Sequence, residues 1–266
     1  LDGLPGLLVA LLVLTIREPE RRGALRGEDG RAVAMPLRDV FAYLGEHRRA
    51  FICVNLFMGL SAVAGYGVAA WVPTMFIRRH GWTAVEIGHA YGLLLLIFGT
   101  AGVLLGGWLG DVMTRRRGPS GRLLLSIVVK LATLPFIVAY TLIPDGKLVL
   151  IPLAASIFLP TFLNGLSPAI LQQMVPNQMR GTAISISLMV VNLLGLGLGP
   201  TLIAIVTDQV FADPAMIHLS ILLVCLLMGS LSLLFVFLAY RPYVELVTRL
   251  RGEEGIAPHG LSAAAH

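Results

Sequence analysis

Long apolar runs alternate with short polar segments along this chain, and the runs have the length of membrane crossings. Residues 50–77, 87–110, 123–143, 148–175, 181–206 and 217–240 each hold about the 20 mostly apolar residues that a helix needs to span a bilayer. An earlier run, 3–16, is only 14 residues long and is read as the end of a helix that begins upstream. The predicted architecture is therefore an all-α membrane protein. Its parts are a helix end at 1–16, a polar linker at 17–49, a six-transmembrane-helix bundle at 50–240 and a polar tail at 241–266. Within the linker, Leu37, Val40, Phe41 and Leu44 recur at i, i+3, i+4 and i+7 behind Pro36, which predicts a short amphipathic helix with Pro36 as its first residue. Thr83 and Glu86 have capping-box spacing where the second span begins.

Composition agrees with a bilayer environment. Hydrophobic residues make up 56% of the chain and charged residues 13%, with a mean hydropathy of +0.83, against about 25% charged in a soluble domain. The net charge of +5 does not point to nucleic acid, because the basic residues are dispersed at span ends without an aromatic-interleaved patch. Of the 20 Lys and Arg, 16 fall on one side of the predicted topology, only Arg78, Arg79 and Lys147 fall on the other, and Lys130 lies within a span. That asymmetry orients the linker, the TRRRGPSGR loop and the tail toward the cytoplasm. Cys53 and Cys225 lie in apolar runs and lack the spacing of a disulfide or metal framework. The histidines mark span ends, linker and tail, so no metal site, cofactor or catalytic constellation is expected. The serine in NGLSPA is followed by Pro168, where an intramembrane serine protease would need glycine. A channel would need a polar ring or repeated subunits around a pore.

Two features concentrate chemistry within the spans. NLLGLGLGP, 192–200, lacks the strand, the G-x-G-x-x-G spacing and the downstream acid of a dinucleotide loop. Gly195 and Gly199 instead form G-x-x-x-G, a surface for close helix approach, and Pro200 removes a backbone hydrogen bond. The stretch is read as a bendable helix joint, with plain close packing as the alternative. Lys130 lies about 10 Å into its span, a costly depth for a charge, and is a candidate for an anionic substrate group unless it snorkels to the interface.

A basic linker followed by six spans resembles the C-terminal half of a major facilitator superfamily transporter. The strongest local element is GGWLGDVMTRRR, 106–117, which looks like the signature that this superfamily carries between spans two and three and repeats between spans eight and nine. GLPGLLVALLVLTIREPERRG, GYGVAAWVP, and VPNQMRGTA followed by NLLGLGLGP are similar, in that order, to the spinster-like branch. The resemblance implies a twelve-helix fold whose other six-helix half is the bundle's partner, and an alternating-access carrier of a lysolipid-like or amphipathic organic anion. A sugar-phosphate or organic-anion exchanger is the alternative it leaves open. It also implies that spans seven and ten line a cavity, making Ser61, Tyr66, Thr161 and Asn164 substrate-contact candidates; helix-to-helix hydrogen bonds are the other reading of each. Pro160 and Pro168 suggest a broken helix around the second pair. Gly107 and Gly110 are expected to admit a neighbouring helix, with Asp111 held by Arg115 and Arg116 or paired with Arg180. No carboxylate falls in the middle of a complete span, so a proton-coupling acid is expected in the partner half. The excess of arginine over lysine suggests a GC-rich bacterial genome and thus an inner-membrane setting.

Overall fold

The computed structural model describes residues 36–256, with side chains described to residue 252. The helix end predicted at 1–16 and the linker residues 17–35 lie outside the described residues. In chain order the helices are α1 (Leu37–Glu46), α2 (Arg48–His80), α3 (Ala84–Leu94), α4 (Thr100–Arg117), α5 (Gly121–Leu142), α6 (Leu150–Gln173), α7 (Arg180–Ile205) and α8 (Ile217–Ile256). A π-helical turn, Leu95–Gly99, joins α3 to α4, and a second, Val206–Phe211, ends α7.

Among the described residues, five helical stretches are long and apolar enough to cross a membrane, and one of them, Ala84–Leu142, has 59 residues. At 1.5 Å per residue that is about 90 Å, three times the thickness of a hydrocarbon core, so it cannot be one crossing. The chain turns back at Gly118, whose φ of 68° ends α4, and α5 returns through the membrane. Six crossings result, as the apolar runs predict. The predicted capping box closes the start of α3: Thr83 N–H donates to Glu86 Oε2 at 2.8 Å, and Glu86 N–H donates to Thr83 Oγ1 at 3.2 Å. The turn between α5 and α6 is tied by Asp145, which accepts from the backbone N–H groups of Lys147 and Leu148. Those two bonds hold its carboxyl below the ordinary carboxylate range.

Several expectations are corrected. Pro36 has extended ψ and precedes α1 instead of opening it. Of the predicted apolar stripe on α1, Val40 is buried and Leu44 half-buried against the bundle, while Leu37 and Phe41 are exposed. α6 runs unbroken through Pro160 and Pro168. The last helix passes the predicted end at Tyr240 and continues to Ile256, 40 residues in all.

The crossings fall into two groups of three, α2 with α3–α4 and α5, then α6 with α7 and α8. Each group lends its middle helix to the first helix of the other, so α4 packs on α6 and α7 packs on α2. The two middle helices are attached along single lines. α4 buries only Gly102, Gly106 and Gly110; α7 buries only Ala183, Ser187, Gly195, Gly199 and Ile203. In both, the stripe recurs every four residues, the ridge along which helices interdigitate. The bulk of the core lies between the other four crossings. One cluster near the arginine-rich end joins Phe57, Leu123, Phe162, Leu166 and Tyr243; a second toward the opposite end joins Phe76, Tyr91, Tyr140 and Ile221.

Candidate functional site

At mid-membrane the α2–α7 seam carries its glycines inward and a polar pair outward. A Cβ on Gly199 would lie 2.6 Å from the Val63 carbonyl oxygen and 2.9 Å from the Gly67 nitrogen, so the backbones touch there. Gly195 faces the Tyr66 ring and Ala62 instead, with Tyr66 Cδ2 at 2.6 Å from such a Cβ. Gly197, on the other face, meets nothing. Seated on Gly195, Tyr66 remains 37% exposed, and its hydroxyl donates to Asn192 Oδ1 at 2.9 Å. Asn192 Nδ2 in turn donates to the Leu188 carbonyl. Pro200 leaves α7 helical, and its own carbonyl accepts from the Trp71 indole N–H at 2.9 Å. Asn192 escaped the sequence reading because it opens a stretch noticed for its glycines; its mid-span position was the available signal.

The α4–α6 seam receives the second pair of predicted polar residues and separates them. Thr161 is half-buried against Gly102, and its hydroxyl donates to the Phe158 carbonyl at 2.7 Å. Asn164 is exposed. A Cβ on Gly106 would fall 2.5 Å from Phe162 Cα, and Gly110 faces the Leu166 side chain. Gly107 was expected to admit a neighbour. It is Gly106 that does so, while Gly107 offers only its backbone nitrogen to Gly165.

Ser61 and Lys130 lie inside the bundle. Ser61 donates to the Phe57 carbonyl at 2.6 Å and contacts Ser232 Oγ of α8 at 2.9 Å; Ser232 donates to the same carbonyl. The Lys130 ammonium stands 5.4 Å from the centroid of the buried Phe57 ring. Lys130 is nine residues beyond the start of α5 and Phe57 nine beyond the start of α2, at the same end of the bundle. Each is thus about 14 Å along its helix, at the same height in the bundle. The ammonium lies over that ring, against the neighbouring helix. A cation over an aromatic face gains about 0.5–2 kcal/mol, well short of the several kcal/mol that desolvating an ammonium costs.

At the arginine-rich end, Asp111 is bound by Arg122, at 2.6 Å from Nη2 to Oδ1. Arg115 and Arg116 are exposed. Arg180 does not meet Asp111; its Nε donates to the Gln172 carbonyl at 3.1 Å. Arg122 lies in the first turn of α5, so helix direction and charge both favour the carboxylate there. Tyr43 of α1 donates to the Met174 carbonyl, and Tyr243 of α8 to Gln173 Oε1, gathering the end of α6. An apolar depression between α5 and α8, lined by Leu124, Ile127, Phe237 and Arg241, holds none of the candidate residues. Among the described residues no cluster of His, Cys, Asp or Glu has the makings of a metal site.

Residues 1–200 match the Major Facilitator Superfamily. The chain belongs to that superfamily. It is 28% identical over 163 residues to an MFS-type efflux pump of Mycolicibacterium smegmatis, a match covering 61% of this chain and 38% of the relative. The fold is similar to that of a bacterial homolog of the human lysosomal transporter Spinster in two inward-facing crystal structures. The unoccupied form gives a TM-score of 0.61 at 22% identity over 94% of this chain and 58% of that one. The occupied form gives 0.58 at 23% identity over 93% and 56%. The chain thus spans 38% of the curated relative and 58% of the solved one, and superfamily membership places its six crossings in an integral, multi-pass membrane protein.

Proposed function

We propose that this chain forms the second six-helix half of a spinster-like secondary transporter. It alternates access by rocking against a first half and carries a lysolipid-like or amphipathic organic anion. The observation that carries this reading is Lys130, a cation held at mid-depth inside the bundle with an aromatic ring as its neighbour and no carboxylate in the middle of any crossing among the described residues. A buried charge left without a counter-ion is costly, and an anionic substrate group supplies one. Ser61 lies one turn further along α2 from Phe57, bonded to Ser232, while Tyr66, Asn164 and Thr161 lie on the two helices, α2 and α6, that would face the first half. Gly195, Gly199 and Pro200 form the joint on which α7 moves against α2. The Asp111–Arg122 pair, with Gly107, Arg115 and Arg116 around it, faces the cytoplasm of a bacterial inner membrane. Coupling to protons would place the titrating acid in the first half, since every described carboxylate lies toward a span end or in a loop.

Proteoliposomes of the full-length protein provide the test. Lysophospholipid is expected to move, and an imposed pH gradient to change the rate. Robust movement of sugar phosphates without lipid would replace this reading with an organic-anion exchanger. Lys130→Met is expected to weaken anionic-substrate binding at least tenfold while sparing thermal stability; unchanged affinity would remove Lys130 from the site.

A further inference from the structure

The Tyr66–Asn192 pair has unused hydrogen-bonding capacity of a particular kind. Asn192 Oδ1 accepts one bond, from Tyr66, and Asn192 Nδ2 gives one proton, to Leu188. One N–H, one amide lone pair and the lone pairs of the Tyr66 oxygen remain. The pair is uncharged, and it offers a donor and acceptors side by side. A phosphate or carboxylate would find a single donor there, and an ammonium no counter-charge. A hydroxyl group uses both functions, donating to an oxygen of the pair and accepting from Asn192 Nδ2.

Its setting points the same way. Asn192 is 12 residues into the 26-residue α7, about 18 Å deep. Polar groups at that depth face a bundle interior or a water-filled pathway rather than lipid tails. Around the pair, Leu188, Leu193 and Leu196 of α7 are exposed, and so are Gly65 and Ala69 of α2. This leaves a smooth apolar surface with one polar spot. The position of that spot depends on Gly195, whose missing side chain lets the Tyr66 ring lie against α7.

We infer that Tyr66 and Asn192 together recognise a hydroxyl group on an amphipathic substrate, beside the hydrocarbon part, and that Gly195 is the positioning residue that sets Tyr66 for this. The inference rests on the amphiphile-carrier reading above and adds a specificity that charge does not provide. A site that hydrogen-bonds a substrate hydroxyl rejects the analogue lacking it, because its own polar groups are left unpaired.

The test is equilibrium binding of two lipids of equal charge and chain length to the purified full-length protein: 1-oleoyl lysophosphatidic acid, and 3-oleoyloxypropyl phosphate, which lacks only the hydroxyl. The wild type is expected to prefer the hydroxylated lipid about tenfold, the equivalent of one good hydrogen bond. Asn192→Leu is expected to bring the two within about twofold. Tyr66→Phe, which keeps the ring on Gly195 and hence the seam, does the same, while Lys130→Met weakens both lipids alike. Equal binding of the two by the wild type, or a preference that survives in Asn192→Leu, overturns the inference and leaves the amphiphile reading standing. Binding of neither lipid overturns both.

Discussion

The two glycine seams are built from the same spacing and meet different surfaces. On α4, Gly106 lies against the Cα and carbonyl of Phe162, and Gly165 of α6 answers, since a Cβ there would fall 2.5 Å from the Val103 carbonyl oxygen. Backbone meets backbone in both directions, and neither partner can yield without moving a helix. On α7 the same reciprocity holds at Gly199 and Gly67, but one turn away Gly195 meets side chains, the Tyr66 ring, which can rotate, and the Ala62 methyl group, which is fixed to the α2 backbone. Identical sequence periodicity therefore produces one seam of backbone against backbone and one that ends on side chains, a single one of which can turn aside. The Tyr66–Asn192 pair lies at the side-chain end.

This contrast sets an order of expected effects. The largest belongs to Gly106→Ala, whose methyl group would press on Phe162 backbone; detergent-solubilised protein should lose about 3 kcal/mol, the upper end for overpacking, read as a lowered thermal midpoint. A loss no larger than that of a lipid-facing control would break the comparison. Gly195→Ala should cost less, about 2 kcal/mol, because Tyr66 can swing aside while the Ala62 methyl group cannot. Adding Tyr66→Leu should recover the part of that loss due to the ring, whereas a penalty unchanged in the double variant would put the whole cost on Ala62 and the displacement of α7. Gly197→Ala, with open space around it, is expected to lose nothing and to gain up to about 1 kcal/mol from helix propensity. Destabilisation there would show that α7 packs on a further surface.

How far the seams could be anticipated differs residue by residue. G-x-x-x-G at Gly195 and Gly199 was visible as a packing surface, because glycine spacing alone states which helix face lacks side chains. That Gly106, not Gly107, admits the neighbour depends on the rotation of α4 about its axis, which one-residue offsets in sequence cannot report when both positions are glycine. Asp111 was recognised by its signature, yet the choice of Arg122 among the nearby arginines followed from where α5 begins after the reversal at Gly118. The prolines of α6 misled: Pro160 and Pro168 read as breaks, while the surrounding helices keep α6 continuous, as packed neighbours in a membrane bundle can. Lys130 was identified at once by its isolation in an apolar run, and its direction was not.

Run length and hydropathy by themselves determined that residues 50–240 form six membrane-crossing helices, where their ends lie to within a few residues in most cases, and which end is rich in arginine. Transfer of apolar side chains out of water acts on each helix independently, so local composition suffices. Only the tertiary structure decided which helices touch, that α4 leans on α6 and α7 on α2, and that Tyr66 finds Asn192 across 126 positions of sequence. Within lipid, helices have no hydrophobic drive to choose one neighbour over another. The choice rests on close packing and on a few hydrogen bonds, and these exist only once two surfaces are brought together.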